Sequence, residues 1–359
     1  MKLSFDDTLL TPQFSTLESR KDVSTSINWL GIPLTSPIIS SNMDSVTNSQ
    51  MAATMALNGA VGTLHRFNTI DENVQEYYTA KDIIFNNVNN APHSSVIGSV
   101  GIGDVEYERA IRLAKAGCQH ILIDVAHGAA IHVVKQYDRL RRSLDDSVYI
   151  IVGNFAKARS IEEFNKHSTC SRKPDSYKIG VGSGSNCSTR IVTGCGWPTL
   201  ASLLDCKQLG LSLIADGGMK NSGDIVKALA AGADVVMLGS LLAGTDETPG
   251  EIISQQVDDA IIDGIPVPKF TLNKKYRGSA SAESYAVQGK TATHRAPEGV
   301  SRLVPYKGPV VDVLNTLNGG IRSGMTYLNA SSLTELRNCE IVQVSNSGHI
   351  EGTPHGLFS

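Results

Sequence analysis

The sequence has no excess of charge of either sign. Its 359 residues carry 32 Lys and Arg against 35 Asp and Glu, a net charge of −3. That balance argues against a polycationic surface that holds nucleic acid by neutralising phosphates, while leaving room for a local basic patch. With 41% hydrophobic residues the chain is not disordered for want of a core. Cysteine is scarce: Cys118, Cys170, Cys187, Cys195, Cys206 and Cys339 never form a CxxC pair, which excludes a disulfide scaffold or a zinc ribbon. Most of them are expected to be small core residues. Long apolar runs are missing too. None approaches the roughly 20 residues that cross a bilayer, and the opening Met1-Lys2-Leu3-Ser4-Phe5-Asp6-Asp7 has no hydrophobic signal segment. The expectation is a cytoplasmic protein with neither a membrane nor a nucleic-acid partner. Its length fits one large α/β domain over residues 1–359.

Glycine is plentiful, and the 33 glycines gather where short apolar runs end. Runs rich in Ile and Val end near Ile39, Thr63, Gly98, Ile123, Val152, Ile179, Ala215 and Leu238, usually followed by an amphipathic stretch. Eight continuous apolar strands alternating with helices predict a parallel sheet covered on both faces, closed as a TIM (β/α)8 barrel; an open doubly wound sheet is the alternative. Val105 to Ala116 and Ser222 to Ala231 read as covering helices.

In a barrel the C-terminal strand ends form the active face. Here those ends carry Ser41-Asn42-Met43-Asp44, His65-Arg66, Gly101, Asp124 with His127, Gly153-Asn154, Gly182 to Cys187, Asp216-Gly217-Gly218 and Gly239-Ser240. Past Ser240 the period fades, and Tyr276 to Gly308 reads as a long mobile flap, too polar for core.

Glycines after strands seven and eight suit phosphate, because bare backbone N–H groups can approach an anion there. Asp216 would repel phosphate, so a ribose hydroxyl is its expected partner. Cys187, on the Gly/Ser loop Gly180 to Arg190, is exposed enough to attack as a thiolate. Cys118 and Cys206, on apolar helix faces, are expected to be packing groups.

Taken together, Phe5-Asp6-Asp7-Thr8-Leu9-Leu10, Ser41 to Val46, Asp124-Val125-Ala126-His127-Gly128, Gly153-Asn154, Gly182 to Arg190, Ala215 to Gly218, Met237 to Ser240 and Pro297-Glu298-Gly299 resemble the IMP dehydrogenase/GMP reductase family, in order from about Phe5 to Tyr327. The resemblance implies a purine 5′-nucleotide substrate, a nicotinamide cofactor, a covalent bond between Cys187 and purine C2, and a homotetramer. It implies catalytic roles for Cys187, Thr189 and Glu298. Nucleotide binding would fall to Ser41, Met43, Ser185, Gly217, Gly218, Gly239, Ser240, Gly299 and the segment Tyr276-Arg277-Gly278-Ser279, with Asp216 on the ribose and Arg295 over the base. Arg66, Asp124, Val125, Ala126 and Asn154 would face the cofactor, though Asp124 also reads as a helix N-cap. Carbonyls of Gly182, Gly184 and Cys187 would hold a monovalent cation such as K+.

Two branches remain open. The reductase branch, GMP to IMP and ammonia with NADPH, is favoured because only Phe67 to about Ser94 separates strands two and three. That is too short for the regulatory insert usual in the dehydrogenases of the family. Nor does the flap carry the Arg-Tyr pair that activates water in those enzymes, whereas His294-Arg295-Ala296-Pro297-Glu298-Gly299 is similar to a reductase run. On the dehydrogenase side stand Ser183, where reductases have Pro, the run Pro297 to Ser301 with Pro305 to Gly308, and the tail around Gly348-His349. With NADH or NAD also open as cofactor, the alternatives are an insert-free IMP dehydrogenase and a nucleotide-binding barrel without catalysis.

Overall fold

The computed structural model describes residues 2–87, 96–262, 265–287 and 296–352. Eight parallel strands form one sheet: β1 (Ile38–Ser40), β2 (Gly62–Leu64), β3 (Val96–Val100), β4 (His120–Asp124), β5 (Tyr149–Phe155), β6 (Ser176–Ile179), β7 (Leu213–Asp216) and β8 (Val235–Leu238). Each of the eight expected runs is a strand. Strands β2 to β8 pair in chain order, β8 pairs with β1, and a parallel bridge between Ile39 and Val61 closes the seam. There the Val61 N–H donates to the Ile38 carbonyl at 3.1 Å and the Ser40 N–H to the Val61 carbonyl at 2.9 Å. The fold is a TIM barrel.

The covering helices form where the apolar period predicts. Asp104–Lys115 buries Ala110 and Leu113, carries Asp104 and Glu106 in its first turn and Arg112 and Lys115 in its last, and stops before Gly117, whose φ is +96°. Ser222–Ala230 begins with the Asn221 side chain accepting from the Asp224 N–H at 3.0 Å. Among the described residues between β2 and β3 there is one helix, Ile70–Asn87. No helix among the described residues is long and apolar enough to cross a membrane.

Two packed layers result. Outside the barrel wall, strand and helix side chains such as Tyr137, Phe155, Phe164 and Tyr177 interlock. Inside it, Ile39, Val61, Ile97, Leu122, Ile151, Ile214, Val235 and Met237 fill the barrel, joined by Trp29, Ile32 and Leu34 from a hairpin of two short strands, Ile27–Trp29 and Ile32–Leu34. This hairpin plugs the N-terminal end. The Trp29 indole N–H donates to Ser212 Oγ just before β7 at 3.2 Å, and the Leu30 carbonyl lies 2.9 Å from His120 Nε2 at the start of β4. The opposite end is thereby left open.

After β8 the chain builds an antiparallel sheet of β9 (Ile253–Ile262), β10 (Ile265–Arg277) and β11 (Ser301–Pro305). This corrects the reading of residues 276–308 as one long loop: the segment starts in β10, contains the helix Ala282–Val287 and returns through β11, with Tyr276 and Val304 buried. Polar strands escaped notice because their buried polar groups are paired. The Lys274 ammonium, for instance, donates to the carbonyls of Thr245 (3.0 Å), Asp246 (3.1 Å) and Thr248 (2.6 Å).

Candidate active site

The loop after β6 is shaped by glycine. Gly180 has φ +151°, and a Cβ there would stand 1.9 Å from the Asp216 carbonyl; Gly182 has φ +72°. The loop so turned presents Cys187, which is exposed, over a cavity of about 1050 Å³ at the C-terminal ends of the strands. The Cys187 thiol donates to Thr189 Oγ1 at 3.0 Å, and the Thr189 hydroxyl donates to Glu298 Oε2 at 2.7 Å. These three residues are therefore one hydrogen-bonded chain, though 109 positions separate Thr189 from Glu298.

Backbone bonds fasten the flap to this loop. The Ser188 N–H donates to the Glu298 carbonyl (2.8 Å), the Glu298 N–H to the Ala280 carbonyl (2.9 Å) and the Val300 N–H to the Asn186 carbonyl (2.9 Å), so that Gly299 stands opposite Cys187. A Cβ on Gly299 would lie 3.2 Å from the Asn186 carbonyl, tighter than ordinary contact. Asn186, which the sequence did not mark out, is buried and also donates from its side chain to the Tyr276 carbonyl at 3.1 Å. By contrast, burial pushes the Cys118 thiol up to about 11 and the Cys206 thiol up to about 12, as expected of packing groups. Cys206 sits on a helix as expected, whereas Cys118 follows one.

A charge cluster lies beneath. Lys178, buried at the last inward position of β6, pairs with Asp124 at 2.9 Å and with Asp216. Burial works against the Lys178 charge, but the two carboxylates outweigh it and raise the ammonium above its usual range. Burial likewise works to raise the Asp124 carboxyl, and Lys178, the Asn42 amide (2.7 Å) and Arg66 together hold it below the usual range. Asn154 Nδ2 donates to the Gly180 carbonyl (2.6 Å) and to Asp216 Oδ2 (3.0 Å). Asp124 is not a helix cap: it ends β4, and the next helix, Ile131–Ser143, has Ala130 at its N-cap.

Of the expected residues, Ser41, Met43, Arg66, Asp124, Val125, Ala126, Asn154, Gly182, Gly184, Cys187, Thr189, Asp216, Tyr276, Gly278, Ser279, Glu298 and Gly299 line the cavity. Ser185, Gly217, Gly218, Gly239 and Ser240 are not in its lining. A Cβ on Gly239 would meet Tyr276 Oη at 2.8 Å and Ser41 Oγ at 3.1 Å, and one on Gly218 would meet the Phe5 ring at 3.4 Å. Arg277 pairs with Asp44, and its backbone N–H and carbonyl bond to the Ser45 hydroxyl, so it serves the flap base. Arg295 lies outside the described residues. Lys178 is the principal group the sequence did not mark out, and Asn42, expected on the rim, was given no role of its own.

Among the described residues that line the cavity, four polar atoms, Ser41 Oγ, Arg66 Nε, Asn154 Oδ1 and Asn186 Oδ1, are buried with no protein partner, which suits the site to a polar ligand. For a cation, no group of three His, Cys, Asp or Glu among the described residues could hold a metal. Loop carbonyls are the donors at hand, and that of Gly184 already accepts from the Cys187 N–H at 2.9 Å.

Residues 2–355 match the IMP dehydrogenase / GMP reductase domain. The inosine-5′-monophosphate dehydrogenase of Borreliella burgdorferi is 32% identical over 409 residues, covering 99% of this chain and 97% of its own length. The GMP reductase of Vibrio atlanticus is 33% identical over 351 residues, covering 94% and 92%. Among solved structures, a GMP reductase variant from Trypanosoma brucei in complex with guanosine 5′-monophosphate superposes with a TM-score of 0.84 at 28% identity, covering 100% of this chain and 98% of that one. The chain belongs to the IMP dehydrogenase/GMP reductase family of purine-nucleotide oxidoreductases, which use nicotinamide cofactors.

Proposed function

We propose that the chain is a GMP reductase, converting GMP to IMP and ammonia with NADPH. The observation that carries the reading is the chain from the Cys187 thiol through the Thr189 hydroxyl to the Glu298 carboxylate, on a flap that has no Arg-Tyr pair between Tyr276 and Glu298. Such a chain suits delivery of a proton to a departing amine more than activation of water. The shortness of the segment from Phe67 to about Ser94 between β2 and β3 supports the same branch.

In this reading Cys187, as thiolate, adds to C2 of the guanine base. Thr189 and Glu298 relay the proton that lets the exocyclic amine leave as ammonia, since amide-like nitrogen departs poorly unless protonated. The nicotinamide, when bound, supplies a hydride to C2. The C–S bond then breaks and Cys187 regains its electron pair. Asp216 holds the ribose; Ser41, Met43, Tyr276, Gly278, Ser279 and Gly299 hold the nucleotide with Arg295 over the base; the glycine turns Gly217-Gly218 and Gly239-Ser240, with Ser185, take the phosphate. Arg66, Asp124, Val125, Ala126 and Asn154 orient the cofactor. Carbonyls of Gly182, Gly184 and Cys187 hold a monovalent cation, and the working assembly is a homotetramer.

A second reading, IMP dehydrogenase, is favoured by Ser183 and by the run Pro297 to Ser301, and relatives of both names align along nearly the whole chain. The deciding assay runs both directions on one preparation in potassium. GMP with NADPH is expected to release ammonia and form IMP, with Glu298→Gln slowing the reaction by about 10²-fold or more while GMP still binds. XMP formed from IMP and NAD at the greater rate would overturn the reductase assignment, and no turnover in either direction would leave a nucleotide-binding barrel. Replacing potassium by tetramethylammonium should lower the rate; an unchanged rate would remove the cation from the reading.

A further inference from the structure

We propose that Lys178 is a positioning residue that ties the two ligand subsites together, holding Asp216 for the nucleotide and Asp124 for the cofactor through one buried ammonium. The inference rests on the assignment of those two subsites. Lys178 stands on β6, Asp124 ends β4 and Asp216 ends β7, so the lysine bridges strands that are not all neighbours. Its side chain is only 3% exposed. The barrel wall makes room for it: a Cβ on Gly153 of the adjacent β5 would lie 2.6 Å from the Lys178 Cβ. Each carboxylate has one further anchor, Asn42 on Asp124 at 2.7 Å and Asn154 on Asp216 at 3.0 Å.

Two carboxylates at one barrel mouth repel each other, and a shared cation offsets that repulsion while fixing where their oxygens point. A ribose hydroxyl that bonds Asp216 competes with Lys178, and whatever hold the ammonium loses there it shifts to Asp124. One subsite thus feels the other through a side chain that belongs to both.

Of the other charged and titratable groups, the Arg66 guanidinium acts on Asp124, and the Tyr276 phenol, kept neutral by burial, faces Asp216. With Lys178→Met, Asp124 loses the largest of the effects that lower it while burial still opposes its charge, so its folded-state pKa moves upward from the low position it has in the parent chain. The stability a depressed carboxyl contributes is present above the unfolded pKa, so this part of the variant's deficit relative to the parent chain vanishes at low pH and grows as pH rises. In the parent chain the Asp124 carboxyl is held low instead, so its contribution is flat from about pH 5 to 8.

The experiment compares the full chain with Lys178→Met, Asp124→Asn and the double variant, reading melting temperature as a function of pH and dissociation constants for GMP and NADPH by calorimetry. Lys178→Met is expected to weaken both ligands by about tenfold and to melt progressively further below the parent chain as pH rises. Adding Asp124→Asn should remove that pH slope and recover much of the GMP affinity, although Asp124 lies on the cofactor side. A side chain that matters only for folding would not give this cross-subsite rescue. Ligand affinities unchanged by Lys178→Met, or a double variant no better than the single one, would overturn the proposal. Should Lys178→Met not fold, Asp124→Asn alone must weaken GMP severalfold by leaving the ammonium to Asp216, and an unchanged GMP affinity overturns it equally. If the parent chain binds no purine nucleotide the subsite assignment fails, and the melting cycle still decides whether Lys178 couples the two carboxylates.

Discussion

A thiol 3.0 Å from a hydroxyl that is itself 2.7 Å from a carboxylate gives Cys187, Thr189 and Glu298 effects separable from those of the other cysteines. Cys187→Ala removes an exposed group that packs against little, so fold and GMP binding should persist while turnover disappears; a single-turnover assay with wild-type amplitude would exclude the covalent step. Cys118→Ala should do the reverse. Its sulfur is buried 3.3 Å from the His120 carbonyl, so the substitution leaves a small cavity costing about 1 kcal/mol, read by urea unfolding, with turnover unchanged. Cys187 was legible because a thiol among Gly and Ser has no packing to do. Lys178 was not: nothing in the strand run Ser176-Tyr177-Lys178-Ile179 names a partner for the lysine, and only closure of the barrel brings Asp124 and Asp216 to it.

At the scale of elements, the eight strands were legible because strands buried on both faces are continuously apolar, and the helices because their buried stripe recurs at 3.6 residues. The hairpin of β9 and β10 lacks both signals. Among its described side chains Val257, Phe270 and Leu272 are exposed while the polar Asn273 and Lys274 are buried, so apolar character does not follow burial along it, and Arg277 pairing with Asp44 across 233 positions helps to set the flap base. A second junction invisible in the sequence joins the helix Ile131–Ser143 to the segment before β6. Asp138 accepts from Ser168 Oγ (2.6 Å), Thr169 N–H (2.9 Å) and Thr169 Oγ1 (2.6 Å). Burial would raise this carboxyl, yet those donors keep it below its usual range. A depressed carboxyl contributes stability that is present above the unfolded pKa, about 3.9, and is lost as pH falls through the folded value. Asp138→Asn should therefore cost about 1–3 kcal/mol at pH 7 and progressively less below pH 4. Denaturant titrations at both pH values test this, and a cost that does not depend on pH would mean the carboxylate charge plays no part.

For the whole molecule, the two ends of the barrel divide the work. At the open C-terminal end, buried polar atoms without partners and glycines with positive φ keep space for ligands at the expense of packing. At the other end, the hairpin carrying Trp29 closes the interior, and Trp29, His120 and Tyr149 stack in series with ring centroids 6.4 and 5.0 Å apart. Trp29 is only 2% exposed and is the largest side chain in the interior layer, so Trp29→Ala should cost about 3–5 kcal/mol. Its place by the starts of β4 and β7, not their ends, means the loss is one of stability alone. Below the lowered melting temperature the variant should keep the KM values and the kcat of the parent chain. Selective loss of nucleotide affinity in folded Trp29→Ala protein would show that the interior layer carries strain from the plug to the rim, and the two ends would then have to be treated as coupled.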